Sequence, residues 1–258
     1  MDPTNLRITQ INVQHCKEAS AVLNHHLHKM QTDLALVQKP WIYKKEIKGL
    51  NIGAFFCDTN IEKPRSCIVT GPRVQARMLH LTSRDVTAIQ IDMMFDGKER
   101  EVVFGSVYLP YDSTDLPPSK EMVSLINYCS HNNYPLIIGC DSDTNSHNLC
   151  WGSTGNNNRG DALLEYLATT DLNISNKGNK PTFVVTGRQE VIDITLATSN
   201  IDLYLCKWRV SDDDSLSDHK YIEFRNAVTV VSLYMRNVLQ NSDHHHHHQH
   251  HIRLLVTE

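Results

Sequence analysis

The chain has 258 residues, enough for one large domain or two small ones with a sizeable core. Its net charge of −4 excludes a globally basic nucleic-acid binder, so a nucleic-acid partner has to be met by local patches or a metal ion. Seven scattered cysteines include no C-x-x-C pair, which argues against a zinc ribbon or a disulfide framework and fits a reducing, intracellular compartment.

The N-terminus carries no signal-type apolar segment and no run reaches membrane-span length, so no membrane partner is expected. In chain order, "LRITQINV" reads as a strand and residues 16–30 as a helix, with Ala19, Val22, Leu23, His26, Leu27 and Met30 at helical spacing. The runs "DLALVQ", "IGAFFC", "SCIVT", "VQARML", "VTAIQIDMMF" and "EVVFGSVYL" follow as strands, separated by turn signals such as "TGPR" and "DGKE". A second helix is predicted over residues 119–131, after "LPP", and then the strand "PLIIGC". The third helix, "RGDALLEYLATT", has Leu163, Leu164 and Leu167 on one side and precedes the strands "TFVVT", "EVIDITLAT" and "YIEF". Many strands with few helices predict two packed mixed sheets flanked by helices, not a doubly wound parallel sheet. One domain is expected over residues 1–226. Residues 227–258 contain "NSDHHHHHQHHIRLLVTE" and read as a low-complexity histidine-rich tail, expected to be disordered.

Several apolar strands end in polar residues. Asn12 and Gln14 close the first, Gln38 and Lys39 the next, and Tyr108 the strand before a proline; Asp141, Asp143, Asn145 and His147 follow "PLIIGC". Asp193 stands inside an otherwise apolar strand, where an unpaired carboxylate is costly. His219 of "SLSDHKYIEF" is a natural partner, leaving Asp218 to face a cation. A carboxylate bonded to imidazole fixes its tautomer and favours the charged ring. Asn and Tyr side chains donate to phosphate oxygens, and an Asp orients or deprotonates a water. Such a set asks for a phosphodiester and a hard divalent cation, Mg²⁺ by preference. Singly, each residue has a structural explanation: a strand cap, a core tyrosine, an ion pair. Their joint appearance points to chemistry.

The segments "LRITQINVQHCKEA", "DLALVQKPW", "VYLPY", "LIIGCDSDTNSHNLCWGST", "NNNRGDALLEYL", "NKPTFV", "EVIDITLAT" and "LSDHKYIEF" occur in an order that resembles the endonuclease domain of non-LTR (LINE-type) retrotransposons. That domain belongs to the endonuclease/exonuclease/phosphatase superfamily, which includes the apurinic/apyrimidinic endonucleases. The resemblance implies a DNase I-like fold, a four-layered α/β sandwich with its active site at one edge of the two sheets. It implies catalytic roles for Asn12, Tyr108, Asn145, Asp193 and His219, a metal role for Asp218, and a place near the DNA-binding edge for Arg159 and Thr182. The expected partner is DNA, nicked with Mg²⁺ (or Mn²⁺) to leave a 3′-hydroxyl that primes reverse transcription in the nucleus. The chain itself has no room for a reverse transcriptase domain.

Two departures from the family pattern matter. Lys39 stands where the family normally has glutamate, the principal metal ligand. A lysine offers no oxygen and repels a cation, so weak metal binding and strongly reduced cleavage are expected; its ammonium supplies charge but cannot coordinate substrate as a metal does. The segment "GCDSDTNSHNLCWGS" is also longer than the usual spacing. Asp143 keeps the D-x-N spacing and Asp141 the position directly after the strand, and only one can activate water; the D-x-N geometry favours Asp143. The competing readings are a catalytically inactive, nucleic-acid-binding remnant of the fold and a phosphatase or sphingomyelinase of the same superfamily. Lys39 speaks for the first; the "WGS", "NNNRG" and "SDH" segments together speak against the second. Lys44, Lys45, Lys48, Lys177, Lys180 and Arg188 are candidates for DNA-backbone contacts.

Overall fold

The period-2 run at the start of the chain forms β1 (Leu6–Asn12), and the apolar positions that follow at helical spacing form α1 (Lys17–Lys29). The structure, a computed structural model, describes residues 5–95, 97–142 and 146–231. Cys16 caps α1, its sulfur accepting from the Ala19 amide, and the chain returns through β2 (Leu34–Gln38), parallel to β1. A small hairpin of β3 (Ile42–Tyr43) and β4 (Glu46–Ile47) precedes β5 (Ala54–Phe56), β6 (Ser66–Thr70) and β7 (Ala76–Met78). The long hairpin of β8 (Val86–Phe95) and β9 (Lys98–Tyr108) leads to α2 (Lys120–Asn132), capped by Ser119, and to β10 (Leu136–Asp141), parallel to β9. A 3-10 turn at Leu149–Trp151 precedes α3 (Asn158–Leu167). Then come β11 (Leu172–Ile174), the hairpin of β12 (Phe183–Val185) and β13 (Arg188–Glu190), β14 (Asp193–Thr198), α4 (Ser199–Asp202), β15 (Leu205–Val210), β16 (Ile222–Asn226) and β17 (Thr229–Val230).

The strands assemble into two main sheets. The first runs β15-β16-β1-β2-β6-β5 and the second β11-β14-β10-β9-β8-β17, with β7 also on β8. Between them lies an apolar layer that includes Ile8, Leu36, Ile89, Phe104, Ile137 and Ile222. Leu23 and Leu27 of α1 cover the outside of the first sheet against Val37 and Tyr221, while Leu125 of α2 and Leu163 of α3 belong to the core on the outside of the second. Helix, sheet, sheet, helix is the four-layered α/β sandwich expected from the sequence. Burying each such leucine or phenylalanine contributes about 1.5–3 kcal/mol.

The three helices fall where periodicity predicts, within three residues at each end. Strands β3, β4, β11, β13, β15 and β17 and helix α4 were not predicted. Asp193 begins β14 and does not lie within it. Past the expected boundary at Asn226, β17 pairs with β8 and Val231 donates its amide to Asp92 O, so ordered pairing continues beyond residue 226. The histidine tract lies outside the described residues. Among the described residues, no helix is long and apolar enough to cross a membrane.

A polar seam interrupts the apolar layer near the far ends of β1 and β2. The Gln10 amide donates to Ile194 O at 3.1 Å and accepts from Thr195 Oγ1 at 2.9 Å; the Gln38 amide donates to Ser106 Oγ at 3.0 Å and Gly139 O at 3.2 Å. Gly139 permits this approach, because a Cβ there would come within 2.9 Å of the Gln10 side chain. Gly160, in the first turn of α3, is still more constrained: its Cβ would sit 1.9 Å from the carbonyl oxygen of His147. A backbone atom cannot rotate aside. Gly160→Ala is therefore expected to destabilise the fold by about 3 kcal/mol, the upper end for overpacking, read as a lowered urea midpoint with unchanged slope.

Candidate active site

Strand register brings the polar strand ends together. Tyr108, Asp141 and Asp193 lie side by side at the ends of β9, β10 and β14 in the second sheet. Asn12, Gln38 and Ser66 form the matching row across β1, β2 and β6 of the first. One hydrogen bond ties the rows: Asn12 Nδ2 donates to Asp141 Oδ2 at 2.5 Å. The Asn12 amide is oriented by the Gln14 backbone N–H, which donates to its Oδ1 at 2.8 Å.

His219 closes the group. Its Nδ1 lies 2.9 Å from Asp193 Oδ2 and 3.1 Å from Oδ1, and both residues are almost fully buried. Burial by itself would lower the imidazole pKa, but the Asp193 charge, reinforced by Asp141, by the Asp193 hydrogen bond and by Asp218, outweighs it and pushes the ring up to about 9. His219 is thus an imidazolium at neutral pH. The loop before it is braced by serines: Ser217 Oγ donates to Asn12 O at 2.7 Å and accepts from the His219 amide at 3.2 Å. Gln14 clamps Asp218, donating to its carboxylate at 2.9 Å and accepting from its amide at 3.0 Å. Gln14 ranks in the sequence only as a strand-end residue; lying two positions past Asn12 was its sole signal.

Lys39 follows directly on the Gln38 row. Its backbone has φ 46° and is held at both sides, with its N–H on Arg65 O at 2.8 Å and its carbonyl accepting from His15 N at 2.7 Å. Its ammonium lies 4.9 Å from the centroid of the Tyr108 ring, and the Arg65 guanidinium lies 5.0 Å from the same centroid. Arg65 is fixed by two hydrogen bonds to Asp85, at 2.5 and 2.7 Å. Burial lowers the pKa of His15 and the Lys39 and Arg65 charges act in the same direction, outweighing its bond to Pro40 O. Arg65 carried no sequence signal, because only tertiary packing brings it to Tyr108.

The two residues expected near the DNA-binding edge are both tied to the protein's own backbone. Arg159 donates to Ser113 O, Asp115 O and Pro110 O at 3.2–3.3 Å, anchoring the loop that leaves Tyr108. Thr182 is fully buried, and its Oγ1 accepts the N–H groups of Ile192 and Asp193, each at 3.1 Å. Thr182→Val keeps the shape but orphans both amides, and is expected to cost about 2 kcal/mol in chemical denaturation. Asp143 and Asn145 lie outside the described residues. Of the basic candidates, Lys45 pairs with Glu62, Lys48 with Glu46, Lys180 with Asp212, and Arg188 meets His147.

Among the described residues, one group of side chains has metal-ligand spacing: Asp141, Asp193 and His219, with ligand atoms within 4.8 Å of one another. A hard divalent cation needs several oxygen ligands. Here the His219 nitrogen that faces the carboxylates is bonded to Asp193, Asp141 is bonded to Asn12, and Lys39 replaces the expected carboxylate. The described residues therefore do not fit a tightly held Mg²⁺. They form a hydrogen-bonded site of mixed charge, with the His219 imidazolium and the Lys39 ammonium beside the Asp141, Asp193 and Asp218 carboxylates.

Residues 102–223 match the family model described as endonuclease-reverse transcriptase. No curated protein matches the sequence. Among solved structures, the chain is similar to the endonuclease domain of TRAS1, a telomere-specific non-LTR retrotransposon, at 26% identity and a TM-score of 0.72, covering 86% of this chain and 98% of that one. The catalytic domain of Xenopus laevis APE2 shares the fold at 13% identity and a TM-score of 0.67, covering 88% of this chain and 93% of that one. So does the AP endonuclease LMAP from Leishmania major, at 11% identity and a TM-score of 0.66, with 88% and 89% covered. With its two sheets joined through Asn12 and Asp141 and its buried Asp193–His219 pair, the chain has a fold similar to that of the TRAS1 endonuclease domain, and its residues 102–223 resemble the endonuclease-reverse transcriptase family.

Proposed function

We propose that the chain is a DNA endonuclease domain whose cleavage is impaired at one position, Lys39. The observation that carries this reading is the buried Asp193–His219 pair placed beside Asp141, Asn12 and Tyr108 at one edge of both sheets. In this reading a phosphodiester sits over the row. The His219 imidazolium, held by Asp193, stabilises the charge that grows on the phosphate oxygens, and Asn12 and Tyr108 donate hydrogen bonds to them. Asp141 orients the attacking water; its place in register with Tyr108 and Asp193 supports it over Asp143 for that role. Cleavage on this pattern leaves a 3′-hydroxyl nick. In the superfamily a divalent cation supplies further charge stabilisation; here Mg²⁺ or Mn²⁺ binds weakly, for want of a carboxylate at position 39.

The second reading, an inactive domain that binds nucleic acid, is favoured by the Lys39 ammonium beside Tyr108. Supercoiled-plasmid nicking in Mg²⁺ separates the two, run on the unmodified chain, Lys39→Glu, and Lys39→Glu combined with His219→Ala. Slow nicking that rises with Lys39→Glu and vanishes with His219→Ala supports the endonuclease reading. Robust nicking by the unmodified chain refutes the impairment. No nicking by any of the three, with retained DNA binding, establishes the inactive domain instead.

A further inference from the structure

The outer face of the first sheet carries a cationic pocket remote from the row of Asn12. β15, β16 and β1 are neighbours, and their registers set Arg225 directly opposite Arg7 and Glu223 between Thr9 and Arg209. Like charges directly opposite on adjacent strands repel. The Arg7–Arg225 juxtaposition therefore calls for an anion, and the nearby carboxylates are already committed. Glu223 Oε1 lies 2.6 Å from His26 Nε2, and its Oε2 accepts from Arg209 Nε at 2.8 Å. Asp33 accepts the Arg7 backbone N–H at 2.9 Å and both arms of the Arg73 guanidinium at 2.8 and 2.7 Å. The Arg7 guanidinium gives one hydrogen bond, to Met30 O at 2.9 Å. The side chains of Arg225 and Lys207 have no hydrogen-bond or ion-pair partner among the described residues.

The backbone adds a second pointer. A register shift between Cys206 and Arg209 interrupts β15, and Lys207 sits in it at φ 55°. Such a conformation costs an L-residue about 1–2 kcal/mol, and bulges of this kind re-aim a side chain. Here Lys207 and Arg209, two residues apart, both line a pocket of about 250 Å³ together with Arg7 and Arg225. Thr9 and Thr32 also line it, their hydroxyls 3.3 Å apart. The volume is below the range usual for drug-sized ligands. It suits one small anionic group, and guanidinium forks with an ammonium match the geometry of phosphate.

We infer that this pocket is a second phosphate-binding site, which takes one phosphate group between Arg7, Arg225 and Lys207. The group is carried by a nucleic-acid strand or by a small phosphate ligand, and the two sources are separable by measurement. Arg7 and Asn12 lie at opposite ends of β1, roughly 16 Å apart at strand rise, so the pocket does not share the phosphate at the catalytic row. The inference stands apart from cleavage.

The test uses the full chain and the Lys207→Asn/Arg225→Gln double variant. Fluorescence anisotropy with a short labelled single-stranded oligonucleotide, repeated over a salt series, is expected to show about fivefold weaker binding in the variant. The slope of log affinity against log salt should fall by about 0.7, the value for one lost phosphate contact. Calorimetry with inorganic phosphate and with a nucleoside monophosphate forms the other arm. A change with the oligonucleotide alone assigns the pocket to a strand; phosphate binding lost in the variant assigns it to a small ligand; either sustains the site. Unchanged oligonucleotide affinity and slope, with no phosphate binding by the unmodified chain, overturns it. Lys207→Asn alone repeats the test at an exposed position whose backbone asparagine tolerates, and its melting temperature confirms that the fold is kept.

Discussion

Replacing Lys39 with glutamate is expected to raise Mg²⁺-dependent plasmid nicking by about 100-fold or more. Two effects act together at this position: a repelling charge is removed and a carboxylate ligand is gained. Metal assistance to phosphoryl chemistry is worth several kcal/mol, and each tenfold in rate takes about 1.4 kcal/mol. The backbone stays neutral in the comparison, because position 39 keeps φ 46° and its hydrogen bonds to Arg65 O and His15 N with either residue. Lys39→Gln separates the two effects, since it removes the charge without adding the ligand; less than a tenfold gain is expected. The initial rate of open-circle formation over a Mg²⁺ titration is the readout. A glutamate variant no faster than the unmodified chain would show that Lys39 is not what limits cleavage.

Replacing Asp193 with asparagine is expected to be the most damaging single change in the site. It leaves His219 buried without its countercharge, and breaking such a buried pair from one side costs about 3–5 kcal/mol. The pH dependence carries the same signature. The His219 imidazole titrates near 9 in the folded protein against 6.5 when unperturbed, so it contributes fully below pH 6.5 and loses that contribution as pH climbs through 9. A shift of that size corresponds to roughly 3 kcal/mol. Urea unfolding at pH 6 and at pH 9.5 should show the unmodified chain losing stability between the two, and Asp193→Asn losing much less. Equal losses in both proteins would detach the pH effect from this pair. In the Lys39→Glu background, Asp193→Asn should also lower nicking by about 10³-fold, within the range for disabling an acid–base group.

The strand ends that carry the site were legible because their sequence breaks a local rule: apolar runs should not finish on Asn12 or Tyr108, or carry a lone carboxylate such as Asp193. The pairing of Asp193 with His219 followed from the cost of a lone buried carboxylate. What the sequence could not display is register. That Tyr108, Asp141 and Asp193 stand in one row depends on three strands far apart in the chain. The D-x-N spacing favours Asp143, which lies outside the described residues, while register sets Asp141 between Tyr108 and Asp193. β15 escaped notice for a different reason: the irregularity at Lys207 breaks the alternation by which a strand is recognised. Short edge elements such as β11 and β17 have too few residues to show a period. Thr182 drew attention only through the motif around it, and the two amides its hydroxyl receives are visible only in the folded protein.

The seam of Gln10, Gln38, Ser106 and Thr195 has a consequence for how this domain can vary. Apolar faces alone would let one sheet slide over the other with little directional preference, since dispersion contacts re-form after a small shift. The two glutamine amides each address backbone or hydroxyl groups on the opposite sheet, so a one-residue slip would break all of these bonds at once. The sheets are keyed like two halves of a mould, and that key, together with the Gln14 and Ser217 contacts, aligns the Asn12–Asp141 bridge. Lys39, directly after β2, takes no part in these bonds, so position 39 can vary without disturbing the key. In such a scaffold, activity can be lost by a single substitution and regained by a single reversal.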